Sequence, residues 1–287
     1  MRRICFVACL VPFLLAGCGH DFISVFGVNP GSRCNGVTGE AKDLTRLPPF
    51  NTTILTADGL LVKHRGFVGW CITRVTGGDV SHAMTAVTER HVRAARDAGW
   101  LVVRQEHETI LDRIPDAERI WCVSADGDGL WASPLEQWVH EGYEIRVRRV
   151  PDTYAGQPIN VPVGWQDRAG DLAARVCGLW GYSFRYLFTN VGYALVGPPK
   201  TDPADIDAMT DERLERTYHR YMCSQTHSLF VRRCAGWDPC VEADRATTPN
   251  ALDKTDRLVT TCDRVAFVSP PRAFPRGHRR PRWMPRW

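Results

Sequence analysis

At 287 residues, 44% hydrophobic and 24% charged, the chain can bury one sizeable core and is too apolar for wholesale disorder. Its net charge of +4 is unevenly spread: without Arg2, Arg3 and the six arginines of the tail from Pro270, the 36 basic residues fall to 28 against 32 acidic ones, a net of −4. A mildly acidic body carries no basic footprint of the kind nucleic-acid binding needs, so no nucleic-acid partner is expected.

The chain opens on Arg2 and Arg3, an apolar run from Ile4 to Leu15 and then small residues. This is the layout of a secretory signal over residues 1–17. The run is too short for the roughly 20 apolar residues of a spanning helix. Leu15-Ala16-Gly17-Cys18 resembles the bacterial lipobox, which implies cleavage before Cys18 and acylation of that cysteine. Two or three acyl chains would hold the protein on a membrane. Gly19, in place of the Asp that retains such proteins at the inner membrane, implies the periplasmic face of the outer membrane in a bacterial envelope.

Residues 18–53, rich in Gly, Pro and Asn, read as a tether or irregular extension. From Ile54 the texture changes: an apolar stretch around Phe67 to Val75, a Gly77-Gly78 turn, then a strand from Ser81 to Val87 in which His82, Met84 and Ala86 alternate with Ala83, Thr85 and Val87. "TERHVRAARDAGW" reads as a helix ending at Gly99, and "WLVVRQ" as a strand. "RIWCVSADGDGLWASPLEQWV" predicts a strand, an Asp-Gly turn, a second strand, and a helix opened by Ser133-Pro134 with Glu136 three positions after Ser133. "YEIRVRRV" alternates as a further strand, and residues 167–179 and 211–235 read as helices, the second dividing near Met222-Cys223. The mixture is α+β, with an antiparallel sheet and helices packed on it.

Without Cys5, Cys9 and Cys18, eight cysteines remain in what would be an oxidising compartment: 34, 71, 122, 177, 223, 234, 240 and 262. Cys234 and Cys240 flank a turn at Asp238-Pro239 and are candidates to pair with each other, or either with Cys262. Cys223 precedes an apolar helix, where the helix dipole and unpaired N–H groups stabilise a thiolate. A disulfide, a buried free thiol or a zinc site with His227, Cys234 and Cys240 are the other readings of Cys223; the spacing matches no common zinc module, so no metal and no cofactor is expected. His227 is expected beside the site or at the surface. Trp121, Trp131, Trp138 and Trp180 read as core or groove walls.

Five blocks resemble the circularly permuted, NlpC-type, papain-like cysteine hydrolases, in that family's permuted order over roughly residues 55–275. They are "CITRVTGGDVSH", "CVSADGDGLWASPLEQW", Gly181-Tyr182, "CSQTHSLFVRRCAG" and "SPPRAF". The resemblance implies a permuted papain-like domain over 54–269, with Cys223 as nucleophile and His82 as its base and acid. It also implies acyl transfer through a tetrahedral intermediate and an acyl-cysteine, with the Cys223 N–H as oxyanion donor. The implied substrate is an amide or ester, in a peptidoglycan peptide or a lipid. The sequence departs from the pattern at Ser124, where the family has a Glu that orients the histidine; Glu106, Glu108 and Asp126 are candidate replacement carboxylates. Gln225 and Thr226-His227 also depart from the family's Glu and apolar pair. A catalytically inactive envelope-binding or structural lipoprotein on the same fold is the alternative reading. The tail 270–287 joins Pro and Arg to Trp283 and Trp287. That composition disfavours folding alone and suits an anionic membrane or another polyanion.

Overall fold

The computed structural model describes residues 54–266, apart from 63–66, 113–115, 118, 127–128, 141–143, 183–208, 217–218 and 241–246. The signal segment, Cys18, the tether 18–53, the "SPPRAF" block and the tail 270–287 lie outside the described residues.

The frame is a six-stranded sheet in the order β10-β5-β1-β2-β3-β4, antiparallel at every pairing. Its strands are β1 (Gly59–Val62), β2 (His82–Thr88), β3 (Ile120–Asp126), β4 (Gly129–Pro134), β5 (Glu144–Arg149) and β10 (Val259–Ala266). The central strands are apolar on both sides: all of β1 and all of β2 but its last residue are buried. Each face of the sheet therefore carries its own core. On one face Leu61, Ala83, Val87, Trp121 and Val123 belong to the larger cluster. On the other, Leu60, Val62, Met84, Ala86, Cys122 and Ile145 form a smaller one.

Helices account for that division. Between β1 and β2 lies α1 (Phe67–Thr76); after β2 come α2 (Glu89–Asp97) and α3 (Gln105–Leu111). The short α4 (Leu135–His140) follows β4 and places Leu135 and Trp138 in the smaller core. A small hairpin, β6 (Thr153–Tyr154) with β7 (Gln157–Pro158), leads to α5 (Trp165–Arg175). Then come β8 (Gly181–Tyr182), α6 (Asp211–Arg216), β9 (Arg220–Tyr221), α7 (Cys223–Ala235) and α8 (Pro249–Lys254). On the larger-core face α7 lies against β2, β3 and α5, and α5 in turn packs on α2. Almost every residue of α7 is buried, so its lack of a clean amphipathic stripe is what its central position demands.

Local chemistry explains several boundaries. Thr88 caps α2, and His91 takes the place usually held by Glu or Gln: its Nδ1 accepts from the Thr88 N–H at 3.3 Å and lies 2.7 Å from Thr88 Oγ1. Gly99 follows that helix at φ +89°, as a left-handed terminator. Two expectations are corrected. "WLVVRQ" forms no strand beyond an isolated parallel bridge of Val103 with Ala132 on the edge strand β4, and α3 begins at its last residue, Gln105. Ser133 does not open α4 as a cap; β4 runs on through Pro134, and Ser133 Oγ accepts from Trp138 Nε1 at 2.9 Å. No helix among the described residues is long and apolar enough to cross a membrane.

Candidate active site

Cys223 is the first residue of α7, and everything before it serves to place it. The parallel pairing of β8 with β9 sets Tyr182 opposite Tyr221, two residues upstream, so the Gly181-Tyr182 block anchors the chain as it enters the helix. Met222 is extended, with its N–H donating to Gln225 Oε1 at 2.9 Å. Gln225 thus does the capping work a glutamate would do, without its charge. Ser224 Oγ donates to the Thr247 carbonyl at 2.8 Å, and Thr226 Oγ1 to the Met222 carbonyl at 2.9 Å. The Thr226 hydroxyl is therefore structural, whereas that of Ser224 also hydrogen-bonds the Cys223 sulfur.

The Cys223 side chain is 3% exposed and faces β2. Burial pushes its thiol up to about 11, against backbone N–H groups of Ala83, Ser224 and Cys223 itself, which donate to the sulfur and favour its charged form. The Ala83 contact puts the sulfur beside the peptide that joins His82 to Ala83. Two residues 140 apart in the chain, Ala83 and Cys223, therefore meet at one atom.

His82 opens β2 at 7% exposure. Its Nε2 lies 2.6 Å from Ser124 Oγ on β3, and its ring stacks on Trp138 with centroids 5.6 Å apart and planes 17° from parallel. Trp138 is in turn fixed by its bond to Ser133. The register explains the pairing: Thr85 opposes Val123, so His82 and Ser124 stand on one face as diagonal neighbours. Trp131 opposes Ser124 on β4 and so lines the same face. In the alternation of β2, His82 looks to the face of Met84 and Trp138, whereas Cys223 approaches from the face of Ala83 and Thr85. Cys223 reaches this strand through the Ala83 N–H, one residue past His82.

Two of the carboxylates weighed for the histidine lie against arginines. Asp126 is bound by Arg104, whose Nη2 donates to both carboxylate oxygens at 2.7 Å, and Glu108 lies 3.8 Å from Arg96. The side chain of Glu106 lies outside the described residues. Ser124, 5% exposed, is the residue at His82 Nε2.

Cys234 and Cys240 are both buried and no disulfide joins them to each other; the side chain of Cys262, the other candidate partner, lies outside the described residues. Burial holds the Cys234 thiol at about 11, which suits an inert core sulfur. Among the described residues no group of three or more His, Cys, Asp or Glu side chains is placed to hold a metal ion. His227 is not at the surface. It is 1% exposed on α7, one turn beyond Cys223, with Nδ1 3.0 Å from Thr85 Oγ1. Desolvation pulls it down to about 4, so it is neutral near pH 7. Sequence reasoning gave Thr85 no role beyond the strand's alternation and missed this pair; the available signal was the i, i+4 spacing of Cys223 and His227 beside a strand carrying Ala83 and Thr85 two apart.

No protein-family model matches the chain, and no curated protein matches it. Among solved structures, the chain is similar to metalloprotein yiiX from Escherichia coli O157:H7 (DUF1105). The likeness has 15% identity over 74% of this chain and 98% of that one, with a TM-score of 0.43.

Proposed function

We propose that the protein is an envelope lipoprotein of the permuted papain-like architecture, acting as a cysteine hydrolase or acyltransferase on an amide or ester. The observation that carries this reading is the meeting of Cys223, first residue of a buried helix, with the His82–Ala83 peptide, while Ser124 holds the far nitrogen of His82. With Nε2 engaged by Ser124, Nδ1 is the nitrogen that takes the thiol proton. The thiolate then attacks the substrate carbonyl, and the resulting oxyanion is met by N–H groups at the start of α7. Collapse expels an amine or alcohol, which leaves with the proton from His82. Water, or a second nucleophile in the acyltransferase case, attacks the thioester and restores the thiol. Ser124 keeps the imidazole oriented but adds no charge to stabilise imidazolium, so the step relies on the sulfur's backbone donors more than a carboxylate-assisted site would.

The acyl anchor expected at Cys18 places this chemistry on a membrane, in reach of peptidoglycan peptides and lipid acyl groups, with the basic tail set against an anionic surface. One observation favours the inactive binding protein instead: the thiol is buried, and burial pushes it up to about 11 even with hydrogen-bond donors on the sulfur. Intact-mass analysis separates the two. The purified protein is incubated with a muropeptide digest or with phosphatidylglycerol vesicles. An acyl adduct on Cys223, absent from Cys223→Ala, supports the enzyme and names the donor. No adduct with any amide or ester donor, in a protein whose Cys223 is unreactive, supports the binding protein.

A further inference from the structure

His227 stands out because it costs stability without an obvious packing return. Its Nε2 is buried without a hydrogen-bond partner, and its ring lies so close over β1 that a Cβ added at Gly59 would come within 2.7 Å of that nitrogen. An aliphatic side chain would fill the same space with no unpaired polar atom, so the imidazole calls for an explanation. Gly59 and Thr85 are register partners on neighbouring strands, and together they form the socket for the ring: Gly59 by lacking a side chain, Thr85 through its hydroxyl.

The geometry along the helix supplies the explanation. Cys223 and His227 are four residues apart on α7, a rise of about 6 Å. Ala83 and Thr85 are two apart on β2, about 6.8 Å. Cys223 meets Ala83 and His227 meets Thr85, so the helix runs alongside the strand with two contacts whose spacings nearly coincide. Sliding α7 along β2 by a fraction of a turn would break both together.

Resting on the reading of Cys223 as nucleophile, we propose that His227 is a positioning residue: seated on Thr85 over Gly59, it fixes the height of α7 on β2 and thereby keeps the Cys223 sulfur on the Ala83 N–H. This goes beyond the dyad, because it assigns the placement of the sulfur to a residue one turn away.

The test is the pH profile of iodoacetamide labelling at Cys223 in the full mature protein, read by peptide mapping. Thr85→Val, which removes the hydroxyl, is expected to lower the labelling rate at pH 7 about tenfold and raise the apparent pKa by about one. Thr85→Ser, which keeps the hydroxyl, is expected to match the wild type. Gly59→Ala pushes the ring from the other side without deleting a polar group, and is expected to move the profile in the same direction; it carries the test if Thr85→Val does not fold. A folded Thr85→Val or Gly59→Ala with the wild-type Cys223 profile, even with an altered melting temperature, overturns the proposal. Failure of the underlying reading looks different: a wild-type profile unchanged by His82→Ala discards the dyad and leaves the Thr85 comparison to be judged on its own.

Discussion

The buried imidazole of His227 makes a quantitative prediction about acid stability. In the folded protein its pKa is lowered to about 4 by desolvation; in the unfolded chain it returns to an ordinary value near 6.5. Between those values the unfolded state binds a proton that the native state refuses, so stability falls as pH falls through this window. From pH 7.5 to 4.5 the two pKa values give a loss of about 2.5 kcal/mol from this one residue. Other groups titrate over the same range. Burial also lowers His91, which adds to the loss, while Asp58 and Glu136 are raised by burial and act in the opposite sense. The measurement is therefore a difference: urea unfolding of wild type and His227→Gln at pH 7.5 and 4.5. The variant should lose about 2–3 kcal/mol less than the wild type between the two conditions. Equal losses would refute the claim that His227 is buried neutral.

Three further outcomes are expected. Ser124→Ala should lower kcat/KM on an acyl donor about tenfold with KM little changed, because the bond at His82 Nε2 orients the base and does not bind substrate; an unchanged rate would remove Ser124 from the site. Glu89→Ala should destabilise the fold by about 3–5 kcal/mol in urea unfolding, since this fully buried carboxylate accepts from Arg93 Nε, Arg119 Nη1, Trp121 Nε1 and the Asp116 N–H; a loss under about 1 kcal/mol would show those donors satisfied elsewhere. Cys18→Ser should move the protein from the membrane pellet to the soluble fraction on cell fractionation, and a variant that still pellets would contradict the lipid anchor.

The parts of the fold that were legible in the sequence are those with a local cause. The Ser81–Val87 run, the helix ending at Gly99, the β3–β4 hairpin around its Asp-Gly turn and the break before Cys223 all carry period, caps or turn chemistry. β1 was not legible: Gly59-Leu60-Leu61-Val62 is buried on both faces, so it shows no alternation, and only its pairing between β2 and β5 makes it a strand. "WLVVRQ" failed for the converse reason: it has strand-forming residues and lies against the edge strand β4, yet makes only an isolated bridge there. Cys223, His82 and Ser124 were each legible as candidates, because each sits in a block with its own pattern. Trp138 stacked on His82, and Thr85 holding His227, were not, since both contacts are set by strand register and helix height, which depend on segments distant in the chain. The suggested bridge between Cys234 and Cys240 is not formed, because spacing says nothing about burial and the core takes up both side chains.

The central claim is that His82 and Cys223 act as one unit, and the direct measurement is the labelling rate of Cys223 with iodoacetamide from pH 5 to 11, with and without His82→Ala. Burial pushes this thiol up to about 11, even with hydrogen-bond donors on the sulfur. The account predicts an apparent pKa well below 8 in the wild type, brought there by an imidazolium partner and lost in His82→Ala. A Cys223 that titrates near 11 in both proteins would contradict it and leave an inactive binding protein on the same framework.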